Sequence, residues 1–201
     1  MAHFRFKITL RGISKPPIWR RVDLPATTPF DIFSQVIQEI FGWGGEHLWH
    51  FTPNAYGTFP VIAEPIPIQS IWAENPDLVA SQTTLERIFR NVGDKFTYTY
   101  DFGDDWIHDI VLEGITDENS NKVYLLKAKG MTPPENCGGV GGYMYLKEVL
   151  SDRSHPDHDR YCEYLGIESD ESISFDDPGI ECGALGEIMD NVVSKRDTKV
   201  C

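Results

Sequence analysis

Alternating apolar and polar residues in the first 24 positions predict two strands. Every second residue is apolar in residues 3–11, and the alternation returns in residues 18–24. A period of two is typical of a half-buried strand. Pro16 and Pro17 lie between the two segments and predict a turn, because proline cannot donate to a sheet ladder. Arg20 interrupts the apolar face of the second strand, which indicates either a side chain that snorkels at a sheet edge or a clamp for an anion or carboxylate.

A helix follows these strands. Residues 30–41 carry apolar side chains at helical spacing, and Gly42 comes next as a natural C-terminal cap. Thr28 is the predicted N-cap, with Pro29 at the first helical position. The helix would therefore lay one apolar stripe on the sheet.

The strongest pattern in the chain is the stretch 98–109, where aromatic residues alternate on both sides of an acidic turn. A three-residue loop at 103–105 is a common hairpin connection. It would pair Phe102 with Trp106 and Tyr100 with His108. We therefore expect these four side chains on one buried face of an antiparallel hairpin.

The remaining pattern is a strand at 122–128, helices at 143–150 and 154–164, and a last amphipathic helix marked by Leu185, Ile188, Met189 and Val192. Strands, one helix, a hairpin and then helices predict an α+β fold: a largely antiparallel sheet with a central β-hairpin, helices packed on it and a helical C-terminal segment. The length of 201 residues fits a single domain, 1–201, whose helical part begins at about residue 143.

Charge is distributed unevenly along the chain. Residues 101–201 contain 22 acids and nine Lys or Arg, which accounts for the whole net charge of −13. Tight nonspecific binding to nucleic acid requires a basic surface, so we do not expect it. No apolar run reaches the length of a membrane span, and the first residues lack the apolar block of a signal peptide, so we expect a cytoplasmic protein with no membrane contact. The four cysteines form no C-x-x-C pair, and reduced thiols are the expectation.

The acidic turn is the densest group of chemically capable side chains. It contains Asp101, Asp104, Asp105, His108 and Asp109. Carboxylate oxygens bind hard divalent cations, and an imidazole adds a transition-metal option, so a divalent metal is the candidate cofactor. The predicted register nevertheless puts Asp101 and His108 on opposite faces. That favours a structural role, with His108 in the core and the aspartates as turn formers.

Two further groups have open interpretations. Histidines at 47 and 50 share a face on a helix but oppose each other on a strand, and a strand is predicted there. The glycine-rich loop 130–142 precedes a helix that is predicted to begin at Tyr143, so its N–H groups could cradle an anion. It matches neither the P-loop nor the dinucleotide fingerprint, which favours a tightly packed loop. Cys137 in this loop is a weak candidate for a reactive thiol.

Several ordered pieces carry a resemblance to a known family. They are residues 8–13, 16–22, 41–43 with 47–48, 98–106 with 108, and 133–135 with 138–139 and 142–143. The ordered set resembles the plasmid pRiA4b ORF-3-like family. The resemblance implies an α+β domain found in prokaryotes, often near mobile elements, and some relatives are labelled passenger resolvases of an insertion element.

This chain departs from the pattern of that family in two places. The family usually has H-L-H-x-F where residues 47–51 are HLWHF, and P-P-E-D where residues 133–136 are PPEN. A metal or acid–base site built on those positions would be impaired here.

Three functions are consistent with these residues. The first is a noncatalytic interaction module with a protein partner. The second is a metal-dependent hydrolase or nuclease, with catalytic candidates Asp101, Asp104, Asp105, His108 and Glu135 and metal-ligand candidates His47, Asp101, Asp104 and His108. The third is a serine resolvase, for which Ser14 near the arginines is the available nucleophile and which the negative charge opposes. We also expect Arg20 or Arg21 to pair with an acid of the hairpin tip or with Glu135.

Overall fold

The computed structural model describes residues 1–65, 75–118 and 120–185. Within them, one sheet contains β1 (Ala2–Ser14), β2 (Pro17–Pro25), β3 (Trp49–Thr52), β4 (Ile62–Ala63), β5 (Leu78–Val79), β6 (Lys95–Tyr100), β7 (Trp106–Asp117), β8 (Tyr124–Lys129) and β9 (Gly183–Ala184). The spatial order is β5-β4-β3-β6-β7-β1-β2-β8-β9. The short pair β4–β5 is parallel, and the other pairs are antiparallel.

Four helices accompany this sheet in the described residues: α1 (Phe30–Phe41), α2 (Leu85–Ile88), α3 (Gly139–Ser151) and α4 (His158–Leu165). The predicted α+β class with a largely antiparallel sheet is confirmed. Helix α1 begins one residue later than predicted. Pro29 is extended and bridges to Thr84, so it occupies the N-cap position instead of the first helical turn.

The core lies between the sheet and α1. The alternating apolar residues of β1 are buried, as the sequence pattern predicts. Phe33 of α1 lies 5.1 Å from the ring of Phe6 and 5.7 Å from that of Phe51, measured between ring centroids. Aromatic packing of this kind adds to the stabilisation that burial of apolar area provides. Through this one residue, α1 packs against both β1 and β3.

The opposite face of β1 and β2 carries charged side chains. Arg21 forms a bidentate ion pair with Glu113 of β7, at 2.6 and 3.2 Å. This pairing raises the pKa of Arg21 and lowers that of Glu113. The predicted partner of Arg21, an acid of the hairpin tip or Glu135, is therefore wrong. The strand register places Arg21 opposite a nearer carboxylate on the same face of the sheet.

Arg20 points into the core and is fully buried. Its guanidinium donates to the carbonyl oxygens of Ile40 (2.8 Å), Trp19 (3.1 Å), Lys129 (2.9 Å), Gly130 (3.2 Å) and Pro178 (3.3 Å), and to Thr132 Oγ1 (2.8 Å). It also lies over the ring of Phe41, 4.9 Å from the centroid. Burial lowers the pKa of Arg20 to about 10. The side chain remains a cation at neutral pH.

The predicted carboxylate partner of Arg20 is thus wrong, and so is the alternative of a snorkelling residue at a sheet edge. Among the described residues, its hydrogen-bond acceptors are neutral oxygens. The guanidinium has five N–H donors in a rigid planar arrangement, which suits a site where several chain segments present carbonyl groups. Arg20 therefore has a structural role, in which it joins several chain segments through hydrogen bonds, and its donors are not directed at an anion.

The C-terminal part of the described chain is only partly helical. After α3 and α4, strand β9 pairs with β8, and Leu185 N donates to Val123 O at 2.8 Å. The last predicted helix, from Leu185 through Val192, lies outside the described residues beyond its first position. The single-domain boundary of 1–201 stays a prediction. Within the described helices, none has both the length and the apolar character needed to cross a bilayer.

We expect Arg20→Met to lower the free energy of unfolding by about 3 kcal/mol or more, because several buried carbonyl groups lose their hydrogen-bond donors. Arg21→Met is the matched control, since its ion pair is partly exposed and should contribute about 1 kcal/mol or less. Urea unfolding of both variants measures the difference. Equal losses in the two variants would contradict the role of Arg20.

Candidate functional site

The motif pieces that are scattered along the sequence meet at the tip of the hairpin. Trp43 stacks on Tyr100, with ring centroids 5.0 Å apart and planes inclined by 12°. Its Nε1–H donates to Pro133 O at 3.0 Å. Tyr143 at the start of α3 donates its hydroxyl hydrogen to Met131 O at 2.8 Å. The loop after α1, the hairpin and the loop 130–138 therefore form one unit.

The hairpin turn differs from the predicted three-residue loop. Tyr100 pairs with Trp106 and Tyr98 with His108, so residues 101–105 form a five-residue loop. Asp101 and Asp105 adopt left-handed backbone angles, with φ of 57° and 55°. Aspartate tolerates this conformation better than most residues, which permits the longer loop.

This register leaves part of the predicted aromatic face intact. Tyr100, Trp106 and His108 are buried as expected, but Phe102 is 43% exposed. The prediction of a buried Phe102 is wrong because the residue lies within the loop and not on the strand. Its ring instead contacts His50, with centroids 5.0 Å apart.

The three aspartates of the tip contact three different parts of the structure. Asp101 Oδ1 accepts from Gly103 N at 2.9 Å, and its other oxygen lies 3.6 Å from His47 Nδ1. Asp104 accepts from Gly138 N at 3.2 Å, and Asp105 accepts from the hydroxyl group of Tyr56. Each carboxylate therefore fastens its own loop.

Glu135 completes the tip from the opposite side. Its Oε1 accepts the hydroxyl hydrogen of Tyr100 at 2.5 Å. Burial, followed by the hydrogen bond to Glu135, raises the pKa of Tyr100. The backbone oxygen of Glu135 accepts from Tyr164 of α4 at 2.8 Å. Glu135 is thus a junction between the hairpin and the C-terminal helices.

His108 lies in the core behind the tip and is fully buried. Burial lowers the pKa of His108 to about 3, so the ring is neutral. Its Nδ1 lies 3.4 Å from Tyr98 O, and its Nε2 has no hydrogen-bond partner in the described residues. The rings of Phe41 and Trp43 enclose it at 4.7 and 5.3 Å. The expected core role fits this environment.

The four metal-ligand candidates do not form a compact ligand set. Within residues 1–65, 75–118 and 120–185, one group of three potential ligands has donor atoms all within 4.8 Å of one another, and it excludes His47, Asp101, Asp104 and His108. The geometry brings His47 and Asp101 together but leaves the other two with different partners. A metal at the tip stays a prediction without support from this arrangement.

The glycine loop is tightly packed. A Cβ atom at Gly139 would lie 2.6 Å from Asp104 O, and one at Gly142 would lie 1.7 Å from Cys137 O. These approaches leave no room for side chains at Gly139 and Gly142, which lie in the first turn of α3, and they explain these two glycines without an anion. Burial, together with Asp104, raises the pKa of Cys137 to about 12. The thiol is therefore protonated and a poor nucleophile at neutral pH.

A cavity of about 350 Å³ opens beside this loop. Its lining residues are Asn136, Cys137, Arg160, Tyr161 and Tyr164. On the adjoining surface the rings of Tyr145, Tyr161 and Tyr164 follow one another, with centroids 5.8 and 6.3 Å apart. We call these three residues the tyrosine row. Tyr161 and Tyr164 stand three apart on the short helix α4, a spacing that is visible in the sequence.

The resolvase hypothesis gains no support from the arginines near Ser14. Arg20 is buried, and Arg21 is paired with Glu113. Arg11 is paired with Asp109 at 2.5 Å. A serine recombinase would need such arginines free around its nucleophile.

Comparison with known proteins agrees with this assembly of motif pieces. The model of the plasmid pRiA4b ORF-3-like family matches residues 2–181. The chain belongs to this family. It is similar to the uncharacterized protein y4hQ of Sinorhizobium fredii, with 31% identity over 193 residues that cover 95% of this chain and 92% of the relative. It is also similar to the crystal structure of a protein of unknown function, MM3350, from Methanosarcina mazei Go1. That similarity has a TM-score of 0.71 and 27% identity, and it covers 89% of this chain and 96% of the other.

The two departures from the pRiA4b ORF-3-like pattern have defined places in the structure. Trp49 packs against Phe51, with centroids 5.7 Å apart, where the pattern has histidine. Asn136 lines the cavity beside the tip, where the pattern has aspartate. The first departure places an indole ring where the pattern has an imidazole, and the second places an amide where the pattern has a carboxylate.

We expect Gly142→Ala to destabilise the protein strongly, because the new methyl group would overlap Cys137 O. Gly141→Ala is the matched control one residue away, where nothing lies within 4 Å of the added Cβ. Alanine favours a helix over glycine by about 1 kcal/mol, so the control should be neutral or stabilising. Thermal unfolding of both variants tests this. A stable Gly142→Ala protein would contradict the packed-loop interpretation.

Burial of neutral His108 should make stability fall in acid. The unfolded histidine takes up a proton near pH 6.5, whereas the folded one does so only near pH 3, so stability is lost as the pH falls between these values. The loss should approach at most about 1.4 kcal/mol per pH unit.

Unfolding free energies of the wild type and His108→Phe, compared from pH 7 to 4, isolate this effect because contributions of the other groups cancel. We expect the difference to shift in favour of the variant as the pH falls. A difference independent of pH would show that folding leaves the pKa of His108 unchanged.

Proposed function

We propose that this protein is a noncatalytic interaction module that binds a protein partner through the tyrosine row and the adjoining cavity. The observation that supports this most directly is the composition of the surface: Tyr161, Tyr164 and Arg160 line a concave site, and Tyr145 adjoins it. Tyrosine and arginine are the residue types that most often dominate binding energy at protein interfaces. A cavity of this size accepts an anchoring side chain of a partner.

The tyrosine row is held rigidly. Tyr145 donates to Asp157 Oδ2 at 2.7 Å, and Tyr164 donates to Glu135 O at 2.8 Å. The ring faces remain accessible, since Tyr145 and Tyr164 are 39% and 49% exposed. Side chains that are ordered before binding lose little entropy on association. A preorganised aromatic surface therefore favours recognition.

Arg160 supplies the charged contact at this surface. Its guanidinium lies 5.2 Å from the ring centroid of Tyr161 and 3.6 Å from Asp157. Its side chain is 68% exposed. An exposed ion pair is weak and easily exchanged, so Arg160 can turn to a carboxylate of a partner.

The state of the acidic residues supports a noncatalytic role. A general base needs a free lone pair within reach of the proton it removes. Asp104 and Asp105 accept hydrogen bonds that fasten loops, and Glu135 accepts from Tyr100. Cys137 is a protonated thiol. Each of these groups therefore has a structural contact that supports the noncatalytic proposal, while the carboxylates keep further lone pairs.

The metal-dependent hydrolase or nuclease is the second candidate because of one contact. His47 faces Asp101 at 3.6 Å while its Nε2 has no hydrogen-bond partner in the described residues. A carboxylate beside an imidazole is a common support for a metal ligand. This function would require Glu135 to leave Tyr100 and join His47.

Site-specific photocrosslinking tests the interaction function in the native host. A benzophenone amino acid in place of Tyr145 should give a discrete protein adduct, identified by mass spectrometry. The same probe in place of Tyr56, which is 51% exposed on another surface, is the matched control. A second substitution, Arg160→Ala, should reduce the adduct at position 145 severalfold.

Absence of an adduct at position 145, or the same adducts at both positions, would contradict the proposed surface. Hydrolysis of a phosphodiester that requires Mn²⁺ and is lost in Glu135→Gln would support the hydrolase instead.

The location belongs to this proposal as well: we infer a reducing, cytosolic environment, since Cys137, Cys162 and Cys182 are free thiols.

A further inference from the structure

A second polar cluster lies at the other end of β1 and β7, away from the hairpin tip. His3 is fully buried near the start of β1, Asp23 is buried near the end of β2, and Glu118 follows β7 at the surface. Their donor atoms all lie within 4.8 Å of one another. Strand β1 pairs with both neighbours here, so the cluster joins three strand ends.

The hydrogen bonds of His3 determine which ring nitrogen carries a proton. Nε2 lies 2.6 Å from the carbonyl oxygen of Ser120. A carbonyl can only accept, so Nε2 must donate its hydrogen. In a neutral imidazole the lone pair is then on Nδ1.

That lone pair faces another acceptor. Nδ1 of His3 lies 2.8 Å from Asp23 Oδ1, and an ionised carboxylate has no hydrogen to donate. Two lone pairs at this distance repel each other unless a cation lies between them. The cation is either a proton, held by the ring or by the carboxyl group, or a metal ion.

The surroundings of the pair match those of a metal site. The second oxygen of Asp23 accepts from Arg5 at 3.0 Å, which leaves Oδ1 directed at His3. The other nitrogen of His3 donates to a backbone carbonyl. Histidine and carboxylate ligands of metals are commonly oriented by such outer contacts. Glu118 is exposed, so its carboxylate can close onto an ion without disturbing the core.

The donor types indicate which ion would bind. One imidazole nitrogen and two carboxylate oxygens suit zinc, with water as the fourth ligand, better than magnesium or calcium, which prefer oxygen alone. The charges of Asp23, Glu118 and Arg5 sum to −1, and a divalent ion makes the cluster +1. The three ligands come from the ends of three strands, so a bound ion would link those ends.

We infer that His3, Asp23 and Glu118 bind a zinc ion that staples the ends of β1, β2 and β7. The site is independent of the tyrosine row and of the hairpin tip. It stabilises the sheet at the end opposite the proposed interaction surface.

Calorimetric titration of zinc chloride into the full-length, EDTA-treated protein at pH 7.5 tests this inference. We expect one equivalent to bind and the melting temperature to rise, since a ligand that binds only the folded state stabilises it. Glu118→Gln changes an exposed residue and should fold normally, yet it should weaken zinc binding roughly tenfold or more. Asp117→Asn, next to it and 91% exposed in its side chain, is the control that should bind as the wild type does.

Cobalt substitution provides a second readout. A four-coordinate site with an imidazole and carboxylates should give visible absorption bands that disappear in Glu118→Gln and in His3→Ala. Failure of zinc to bind, or equal binding by the wild type and Glu118→Gln, would overturn the inference. A melting temperature that does not change with zinc would leave a proton as the bridging cation and would also overturn the inference.

Discussion

The buried guanidinium of Arg20 is the interaction on which the rest of the structure depends. A cation in the core is costly unless its donors are satisfied, and here the satisfying atoms are carbonyl groups from separate chain segments. The end of α1, the end of β8 and the segment near Pro178 must therefore arrive together. Thr132 belongs to the same set, and the next residue, Pro133, accepts from Trp43. The position of the hairpin tip follows from this chain of contacts.

The acidic residues of the tip hold loops in place through hydrogen bonds. Asp101 stabilises a left-handed turn through Gly103 N, and Asp104 caps the glycine loop through Gly138 N. Glu135 ties the hairpin to α4. Dense carboxylates near a histidine are also what a catalytic site contains, and only their contacts distinguish the two cases.

Local periodicity predicted the fold well because each strand and helix has one buried face. Strands β1 and β2, helix α1 and the class of the fold follow from spacing alone. The hairpin register did not follow, because three-residue and five-residue loops give similar alternation on both sides of the turn. The choice depends on left-handed angles at Asp101 and Asp105, which the residue types allow but do not require.

Contacts between distant segments could not be predicted in the same way. The sequence indicated that a buried Arg20 needs hydrogen-bond partners. It could not indicate that these are backbone carbonyl groups, since every residue has one. The tyrosine row combines residues of two helices whose packing the sequence does not specify. The pairing of Glu135 with Tyr100 was likewise invisible, although both residues stood in the motif pieces.

The tyrosine row belongs to the half of the chain that contains the whole negative charge of −13. Long-range attraction acts before any contact forms, so a cationic partner would be drawn towards this half during diffusion. Such steering raises the rate of association far more than it lengthens the life of the complex. The association rate constant would then be high at low salt and lower at high salt. The aromatic contacts would set the dissociation rate constant and so the lifetime of the complex.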